Sequence, residues 1–414
     1  MSHTKTVFTA VCLLAALSAS AQVFYEEESD TLILLTSAKH EQRIQNRRAA
    51  AEQESTCPLE RMWSNGKQQL NNMGLDIGAD ISYLAQRVSP NGKQTAIQGV
   101  YYPYLTWDLF RDTALGSGQL NVNYTFIRYW GAQAATLQNR ASLATAINDY
   151  SADQEFFSQF SYTYTLPGSM NWMSMTAGQF PLYNFDGTAY LDNQQTALMN
   201  FALSQNATAA YPLASFGGYL QAQSKSFTLA AGYQDATNIS GRTIRLDTAF
   251  DDKYLVFGSL SWTPNFSIGA GQYSLLYYYQ PAVTDQDEDV NGWSFNMQQN
   301  IGDKWAIFSR SNGVNHSVTG VRNSFAFGGA LLDPLGRNSQ DAILLGMAYN
   351  RLSETALGNP VNMKPSETAV ELQWIWGIGK WITITPDLQI YPRAGLSDKK
   401  QFTTVVGLRT TVQL

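Results

Sequence analysis

From about Leu75 to the C-terminus, apolar and polar side chains alternate along the chain with a period of two residues. Alternation of this kind places successive side chains on opposite faces of a β-strand. No part of this region approaches the roughly 20 uninterrupted apolar residues that a transmembrane helix needs. The sequence therefore predicts an all-β fold. The clearest alternating stretches are 159–166, 272–279, 370–376, 382–391 and 402–414.

The alternating stretches are long, and their aromatic residues concentrate near the ends. A tilted strand that crosses a membrane needs about 9–11 residues, whereas strands of a soluble sandwich are shorter and polar on the outer face. The chain holds 22 Tyr, 20 Phe and 10 Trp but only 14% charged residues. This balance suits a barrel that is apolar outside and polar inside. The sheet must close, because an open edge in lipid leaves backbone groups unpaired.

The connections between the alternating stretches switch regularly between short and long. Bacterial outer-membrane barrels have short periplasmic turns, long external loops and an even number of strands. With a periplasmic N-terminus, the pattern predicts a transmembrane antiparallel β-barrel of about 16 strands. The short turns fall at 111–117, 167–170, 224–226, 264–266, 301–303, 333–340 and 379–380. The long connections, expected outside, fall at 86–98, 130–156, 181–214, 235–253, 281–290, 312–322, 351–367 and 392–401.

The first residues are typical of a secretory signal. Lys5 supplies a positive charge, residues 7–17 form a short apolar core, and Ala19-Ser20-Ala21 is a small-x-small cleavage site. We therefore expect a signal peptide at 1–21, a short N-terminal periplasmic helical segment at 22–73 and the barrel at 74–414. Residues 37–72 are rich in Ala, Gln, Glu, Lys and Arg, which favour a helix. A mobile tether is the alternative, because the apolar stripe of this segment is thin.

Composition and spacing argue against several other classes of function. Cys57 is the only cysteine left after signal removal, so no intramolecular disulfide can form. The 33 acidic residues outnumber the 27 basic ones, which argues against a nucleic-acid partner. An enzyme is not expected, because His40 and His316 are the only remaining histidines and no Gly-x-Ser-x-Gly elbow occurs. The aspartates between Asp285 and Asp289 lack the spacing of a calcium loop, so neither a metal nor a cofactor is expected.

Side chains that alternate inward should face a water-filled lumen, since a barrel of about 16 strands is too wide for a packed core. Sugars need aromatic faces for their C–H surfaces and charged or amide groups for their hydroxyls. Inward parity nominates residues of both kinds for the solute path. The alternative is that inward Arg and Glu side chains pair with one another and only set the field of the lumen. The candidates are Arg409, Glu371, Asp387, Trp381, Tyr391, Trp172, Tyr278, Asp76 and Asp80.

The connection 181–214 is the longest of all and is rich in Asn, Gln, Asp and Thr. It either folds inward and narrows the channel or forms an ordinary surface loop. The residues themselves leave both arrangements open.

Four stretches carry motifs and together span most of the chain from Trp63 onward: Trp63–Gly66 with Leu70 and Gly74; Thr176–Phe180 with Tyr211-Pro212 and Gly217-Gly218; Phe327–Gly329 with Arg337 and Asp341–Gly346; and Glu367 or Glu371 with Thr385–Gln389 and Val406–Arg409. These motifs resemble those of the carbohydrate-selective outer-membrane porins of the OprB type. The resemblance implies a sixteen-stranded monomeric barrel with an N-terminal periplasmic helical segment, which passes neutral sugars through a charged, Arg-containing constriction. The chain departs from the family pattern at its last residue, Leu414 instead of an aromatic, and at Tyr391-Pro392-Arg393.

The sequence leaves several functions of such a barrel open. The leading one is passive diffusion of carbohydrates and similar small solutes across the outer membrane of a Gram-negative bacterium, by weak and repeated contacts in the lumen. A non-selective general porin, a channel for polysaccharide export and a structural barrel with an occluded lumen are the alternatives. The expected partners are carbohydrate solutes and outer-membrane lipid, and the barrel is expected as a monomer or a loose oligomer.

Overall fold

The computed structural model describes most of the chain from Pro58 to Leu414. The predicted signal peptide and the segment up to Cys57 lie outside the described residues, so the boundaries expected there stay predictions. Among the described residues, no helix is long and apolar enough to cross a membrane. Within 58–414 the gaps in the description are 91–93, 193, 242, 250–252, 317, 359–362 and 398–401.

Sixteen long strands form one antiparallel sheet, as the alternation predicts. A further two-residue strand, Asn265–Phe266, pairs only with the start of the ninth long strand. The long strands are β1 (Leu75–Ser89), β2 (Thr95–Thr113), β3 (Gly116–Gly131), β4 (Gln154–Thr165), β5 (Met173–Phe180), β6 (Ser215–Gln223), β7 (Phe227–Asp235), β8 (Tyr254–Trp262), β9 (Gly269–Gln280), β10 (Val290–Ile301), β11 (Trp305–Val314), β12 (Val321–Leu332), β13 (Ala342–Leu352), β14 (Ser366–Ile378), β15 (Ile382–Tyr391) and β16 (Thr403–Gln413).

The sheet closes because its first strand pairs with its last. Strands β1 and β16 run antiparallel, with Asp80 opposite Gln413 at one end of the ladder. At the extreme C-terminus, the Leu414 amide donates to the Ala79 carbonyl at 2.9 Å, and the Ala79 amide donates back at 3.3 Å. Every long strand therefore has two neighbours, and the barrel has no open edge to leave backbone groups unpaired.

Helices are few in the described part of the chain. The helix α1 (Pro58–Asn72) supports the helical alternative for the N-terminal segment over this part of its length. It begins at a proline, whose missing N–H costs nothing at a first helical position. Its Lys67 lies 3.4 Å from Asp76 at the start of β1. The others are α2 (Ala134–Arg140), α3 (Phe201–Ser204) and 3-10 turns at Gly168–Met170 and Leu182–Phe185.

The two faces of each strand follow the predicted parity. On β16, Leu408 is 51% exposed while the neighbouring Arg409 is 1% exposed. On β9, Leu275 and Tyr277 lie on the outside and Tyr278 lies inside. The outer surface is therefore apolar and aromatic, and burying it in lipid stabilises the barrel in a membrane.

Two connections in the structure differ from their predicted positions. The stretch 86–98 is largely strand, because the inward alternation of Gln86, Ala96 and Gln98 continues and leaves only 90–94 between β1 and β2. Residues 132–153 between β3 and β4, expected as an external loop, carry Leu137, Leu143 and Ile147 with no exposure at all. We call this segment loop L2, and we call residues 181–214 loop L3.

Candidate functional site

Loop L3 folds into the barrel, which settles the question that its composition leaves open. Its Leu191, Leu198 and Leu203 are fully buried in one cluster with Phe308 of β11 and Leu344 of β13. Burying a leucine side chain stabilises a fold by about 2 kcal/mol. These contacts hold the loop against the wall of β11–β13.

A glycine lets the loop approach the wall closely. A Cβ added at Gly346 of β13 would lie 2.7 Å from Cδ1 of Leu198 and 3.2 Å from Leu203. Gly346 therefore leaves space for the two leucines, one of which belongs to the single turn of α3.

Arg409 of β16 anchors the middle of loop L3. Its guanidinium Nη1 donates to the carbonyl oxygens of Gln194 and Ala197, the second at 2.8 Å. Nη2 donates to Oγ1 of Thr385 on the adjacent β15 at 3.3 Å. Because the loop carbonyls use one end of the guanidinium, this side chain acts in the described structure as an anchor of L3.

Glu371 of β14 binds the residues of loop L3 that follow those held by Arg409. Its carboxylate accepts hydrogen bonds from the backbone amides of Met199 at 2.6 Å and Asn200 at 2.9 Å. The Asn200 side chain accepts from the Ala202 amide at 3.1 Å and so caps α3. Its Nδ2 also donates to the Tyr391 hydroxyl at 2.5 Å. Glu371 and Tyr391, both predicted from parity, thus meet at one loop residue.

The other candidates divide between the loop and the short-turn end of the barrel. The Tyr278 hydroxyl accepts from the Ala210 amide of L3 at 3.0 Å. The Asp80 carbonyl accepts from Gln195 of L3 at 3.0 Å, and the Asp80 side chain is buried on the inner face. Asp387 is buried on β15 and accepts from Gln389 at 3.3 Å.

Three predicted residues lie at the short-turn end, outside this set of loop contacts. Trp172 lies in the turn before β5 and is 39% exposed. Trp381 lies in the turn before β15 and is half-buried. Asp76 pairs with Lys67 at the start of β1. The alternation of side chains assigns a residue to the inner or the outer face of the barrel. It does not give the position of that residue along the barrel axis.

Arg310 of β11 is an anchor that the sequence reasoning missed. Its side chain is 1% exposed, Nε donates to Oδ1 of Asn296 at 2.8 Å, and Nη2 donates to the Leu191 carbonyl of L3. It also lies 3.8 Å from Oδ1 of Asp186, which accepts from Ser294 at 2.7 Å. The alternation of Ala306, Phe308 and Arg310 was present in the sequence and could have indicated its inward direction.

Loop L2 is held inside the barrel in the same way. Glu367 of β14 accepts from the amides of Ala144 at 2.9 Å, Thr145 at 2.8 Å and Gly395 at 2.7 Å. Gln86 of β1 donates to the Ile147 carbonyl at 3.2 Å. The strand-borne carboxylate again receives loop amides, so L2 and L3 share one mode of attachment.

Asp149 joins loop L2 to loop L3. Its amide donates to Oε1 of Gln194 at 2.9 Å, and its Oδ2 accepts from the Gln194 amide at 2.8 Å. Burial raises the pKa of the Asp149 carboxyl to about 7, and the nearby charge of Asp192 adds to this, while hydrogen bonds from Ser204 and Gln194 oppose it. Arg409 also lies within electrostatic reach. The junction of the loops therefore contains a group that titrates near neutral pH.

The wall of β2–β5 also contacts loop L3, where Asn184 donates to Gln159 at 3.4 Å, but its chemistry differs from that of β11–β16. Most polar groups of its inner face are neutral hydroxyls and amides, and several of them pair with each other. Asn123 donates to Gln159 at 3.3 Å, and the hydroxyls of Thr163 and Thr176 are 2.8 Å apart. Further inner-face groups of this kind are Asn121, Thr125, Ser158 and Ser161. The polar side chains of this wall are therefore mostly uncharged.

A closed barrel of sixteen antiparallel strands, apolar outside and narrowed by a long loop packed within, has the architecture of a porin. The chain belongs to the family described as carbohydrate-selective porin, OprB family, whose model matches residues 129–414. The resemblance seen in the sequence is thereby confirmed, and membership implies a location in an outer membrane.

Similar proteins agree with this assignment. Porin AaxA of Chlamydia pneumoniae is 34% identical over 347 residues, covering 82% of this chain and 79% of that protein. Porin AaxA of Chlamydia felis, strain Fe/C-56, is 36% identical over 342 residues, covering 80% and 76%. The high-pH structure of Pseudomonas putida OprB has a TM-score of 0.71 at 14% identity, covering 85% of this chain and 97% of that one. At that identity the structural match supports the fold alone.

Proposed function

We propose that this porin is a passive diffusion channel for carbohydrates and similar small neutral solutes in the outer membrane of a Gram-negative bacterium. The observation that carries the proposal is a chemical difference between two parts of the inner wall. The buried charges of Arg409, Glu371 and Arg310 bind loop L3, while the wall of β2–β5 offers neutral hydroxyls and amides.

Neutral groups of this kind suit a sugar better than an ion. Hydroxyls and carboxamides both donate and accept, so each can exchange a hydrogen bond with a sugar hydroxyl as the solute moves. Each contact is weak, which allows the solute to leave as readily as it enters. The family description, carbohydrate-selective porin, points in the same direction. No catalytic step and no energy source are part of this proposal.

The test is solute-dependent swelling of liposomes that contain the protein, with neutral sugars compared with charged solutes of matched size. Faster swelling with sugars is the expected result. Equal rates would make the protein a general porin, and no swelling would contradict a diffusion channel and point to export or a structural role.

A variant pair locates the path. Asn123→Leu removes an inner-face amide of β3 and should slow sugar uptake relative to the charged solute. Val122→Leu alters the neighbouring side chain on the outer face and should leave uptake unchanged. If both variants behave like the parent protein, the wall of β2–β5 does not contact the solute.

A further inference from the structure

A pocket opens at the long-connection end of the barrel, which faces out of the cell in an outer-membrane barrel. It encloses about 550 Å³ between the start of β2, the end of β3 and helix α2 of loop L2. Small-molecule sites have volumes of about 300–1,000 Å³, so the size suits a ligand. We call it the rim pocket, and its lining residues are Gln94, Thr95, Gly131, Ala132, Gln133, Thr136 and Arg140.

The rim pocket differs from the inner wall because a ligand can reach it without entering the barrel. Gln94, Thr95 and Arg140 are exposed, and Gln133 and Thr136 are half-buried. The inner-face side chains of the strands below are, in contrast, largely buried under loops L2 and L3. A ligand from the surroundings of the barrel therefore has direct access to these five polar side chains.

Helix α2 forms one wall of the rim pocket. Its N-cap residue Gln133, Thr136 and Arg140 follow one another at spacings of three and four residues, so they share one side of the helix. On the neighbouring side, Ala134 and Leu137 are buried in a cluster with residues of β1 and β2. This packing fixes the helix on the barrel, so the polar side lines the pocket before any ligand arrives.

The polar side chains of the rim pocket are available for binding. Within the described ranges, the Arg140 guanidinium forms neither an ion pair nor a hydrogen bond with the protein. Arg128 of β3, in contrast, pairs with Glu155 at 3.5 Å. The Gln133 side chain makes no capping hydrogen bond to α2. The pocket thus combines a cation that has no carboxylate partner with neutral donors and acceptors.

This combination selects a sugar that carries a phosphate. A guanidinium binds phosphate through two parallel hydrogen bonds, and none of the lining residues is acidic. The two carboxamides and two hydroxyls of the pocket both donate and accept, as sugar hydroxyls require. Arg87 of β1 lies opposite Thr95 and brings a second guanidinium to the rim.

The position of the rim pocket indicates where such a sugar comes from. Trp130 directly precedes the lining residue Gly131, is 47% exposed on the outer face and stacks on Tyr83 at 5.9 Å. Tyr83 in turn shares a hydrogen bond of 2.6 Å with the Tyr101 hydroxyl. Outward Trp and Tyr residues mark the level of the lipid headgroups. One strand residue rises about 3.3 Å, so the pocket begins at the headgroup level.

We propose that the rim pocket binds the phosphorylated saccharide headgroup of an outer-leaflet glycolipid. Arg140 holds the phosphate, and the side chains of Gln94, Thr95, Gln133 and Thr136 hold the sugar hydroxyls. The site goes beyond the diffusion function, because its ligand belongs to the membrane and does not pass through the lumen.

The experiment measures binding of lipid A to the full-length protein in detergent by native mass spectrometry. The same lipid without its phosphates is the comparison, and it should bind about tenfold more weakly. Arg140→Gln should weaken binding of lipid A about tenfold, as loss of a charge-assisted hydrogen bond predicts. Gln133→Met should weaken it a few-fold. This variant should keep the unfolding temperature of the parent protein, because the Gln133 side chain does not cap the helix.

The matched control is Arg351→Gln. Arg351 is also exposed near the long-connection end of its strand, β13, and forms no ion pair within the described ranges, but it does not line the rim pocket. This variant loses the same charge and should keep the lipid affinity of the parent protein. Sugar-dependent swelling should be unchanged in both arginine variants, which separates the lipid site from the diffusion function.

Equal weakening in Arg140→Gln and Arg351→Gln would overturn the proposal and assign the lipid to the general positive charge of the rim. Equal binding of the two forms of the lipid by the parent protein would overturn it as well. Glucose 6-phosphate distinguishes a lipid headgroup from a free sugar phosphate. It should compete poorly with lipid A at equal concentration, and efficient displacement would overturn the assignment to a lipid.

Discussion

Arg409 offers the sharpest test of whether the inward charges hold a loop or bind a solute. Replacing it by methionine keeps an apolar stem of similar length and removes the hydrogen bonds to the carbonyls of Gln194 and Ala197. A hydrogen bond to a charged group contributes about 1.5–3 kcal/mol. Two of them amount to about 3–6 kcal/mol of docking energy for loop L3. Since 1.4 kcal/mol is a factor of ten, the undocked population should grow about a hundredfold or more.

Single-channel conductance and limited proteolysis measure this directly. In Arg409→Met, conductance should rise for every permeant ion, and a protease should cut within L3 faster than in the parent protein. The control Thr385→Val removes only the 3.3 Å contact to Nη2 and should change both readouts little. A fall in conductance with L3 still protected would refute the anchoring argument and restore Arg409 as a solute contact.

Three further predictions follow from the anchors and the backbone. In Glu371→Gln the side-chain carboxamide keeps only one acceptor oxygen for two backbone amides of loop L3. The conductance of this variant should therefore lie between those of the parent protein and Arg409→Met. The pKa of Asp149 is raised from 3.8 to about 7, so its contribution to loop docking is full below pH 3.8 and is lost as the pH rises through 7. Conductance should therefore increase between about pH 4 and pH 7 and level off above that, and Asp149→Asn should abolish that increase. Gly178→Ala forces a Cβ to 2.4 Å from the Phe160 carbonyl at a φ of +131° and should cost about 1–3 kcal/mol of stability in thermal unfolding, whereas Gly66→Ala, with open space around it, should cost nothing.

The barrel itself was predictable because its signal is local. An alternation of period two is visible within ten residues, and it assigns both the strand and the face of each side chain. Leu408 and Arg409 show this at the closing strand, where adjacent residues face lipid and lumen. The even strand number followed from the turns for the same reason.

The inner loops were not predictable in the same way, because their contacts are not local. Glu371 meets Met199 across 172 residues, and Arg409 meets Ala197 across 212. No pattern in a short window distinguishes an inward carboxylate that binds a solute from one that receives loop amides. The sequence reasoning therefore found Arg409 and Glu371 as inward charges but could not assign what they bind. Loop L2 was placed outside for the same reason.

The distance along the chain between loop L3 and its anchors has a consequence for biogenesis. Two of the residues that fix L3, Glu371 and Arg409, lie on β14 and β16, among the last strands to be synthesised. Until those strands are in place, the loop lacks the Glu371 and Arg409 anchors and, of the charged anchors, has only the guanidinium of Arg310 on β11 to dock on. Closure of the ring by Leu414 and narrowing of its interior are thus coupled events at the end of assembly. A chain truncated before β16 would lack both the β1–β16 pairing that closes the barrel and the Arg409 anchor of loop L3. A stalled insertion intermediate would therefore expose an undocked loop L3 to cellular proteases.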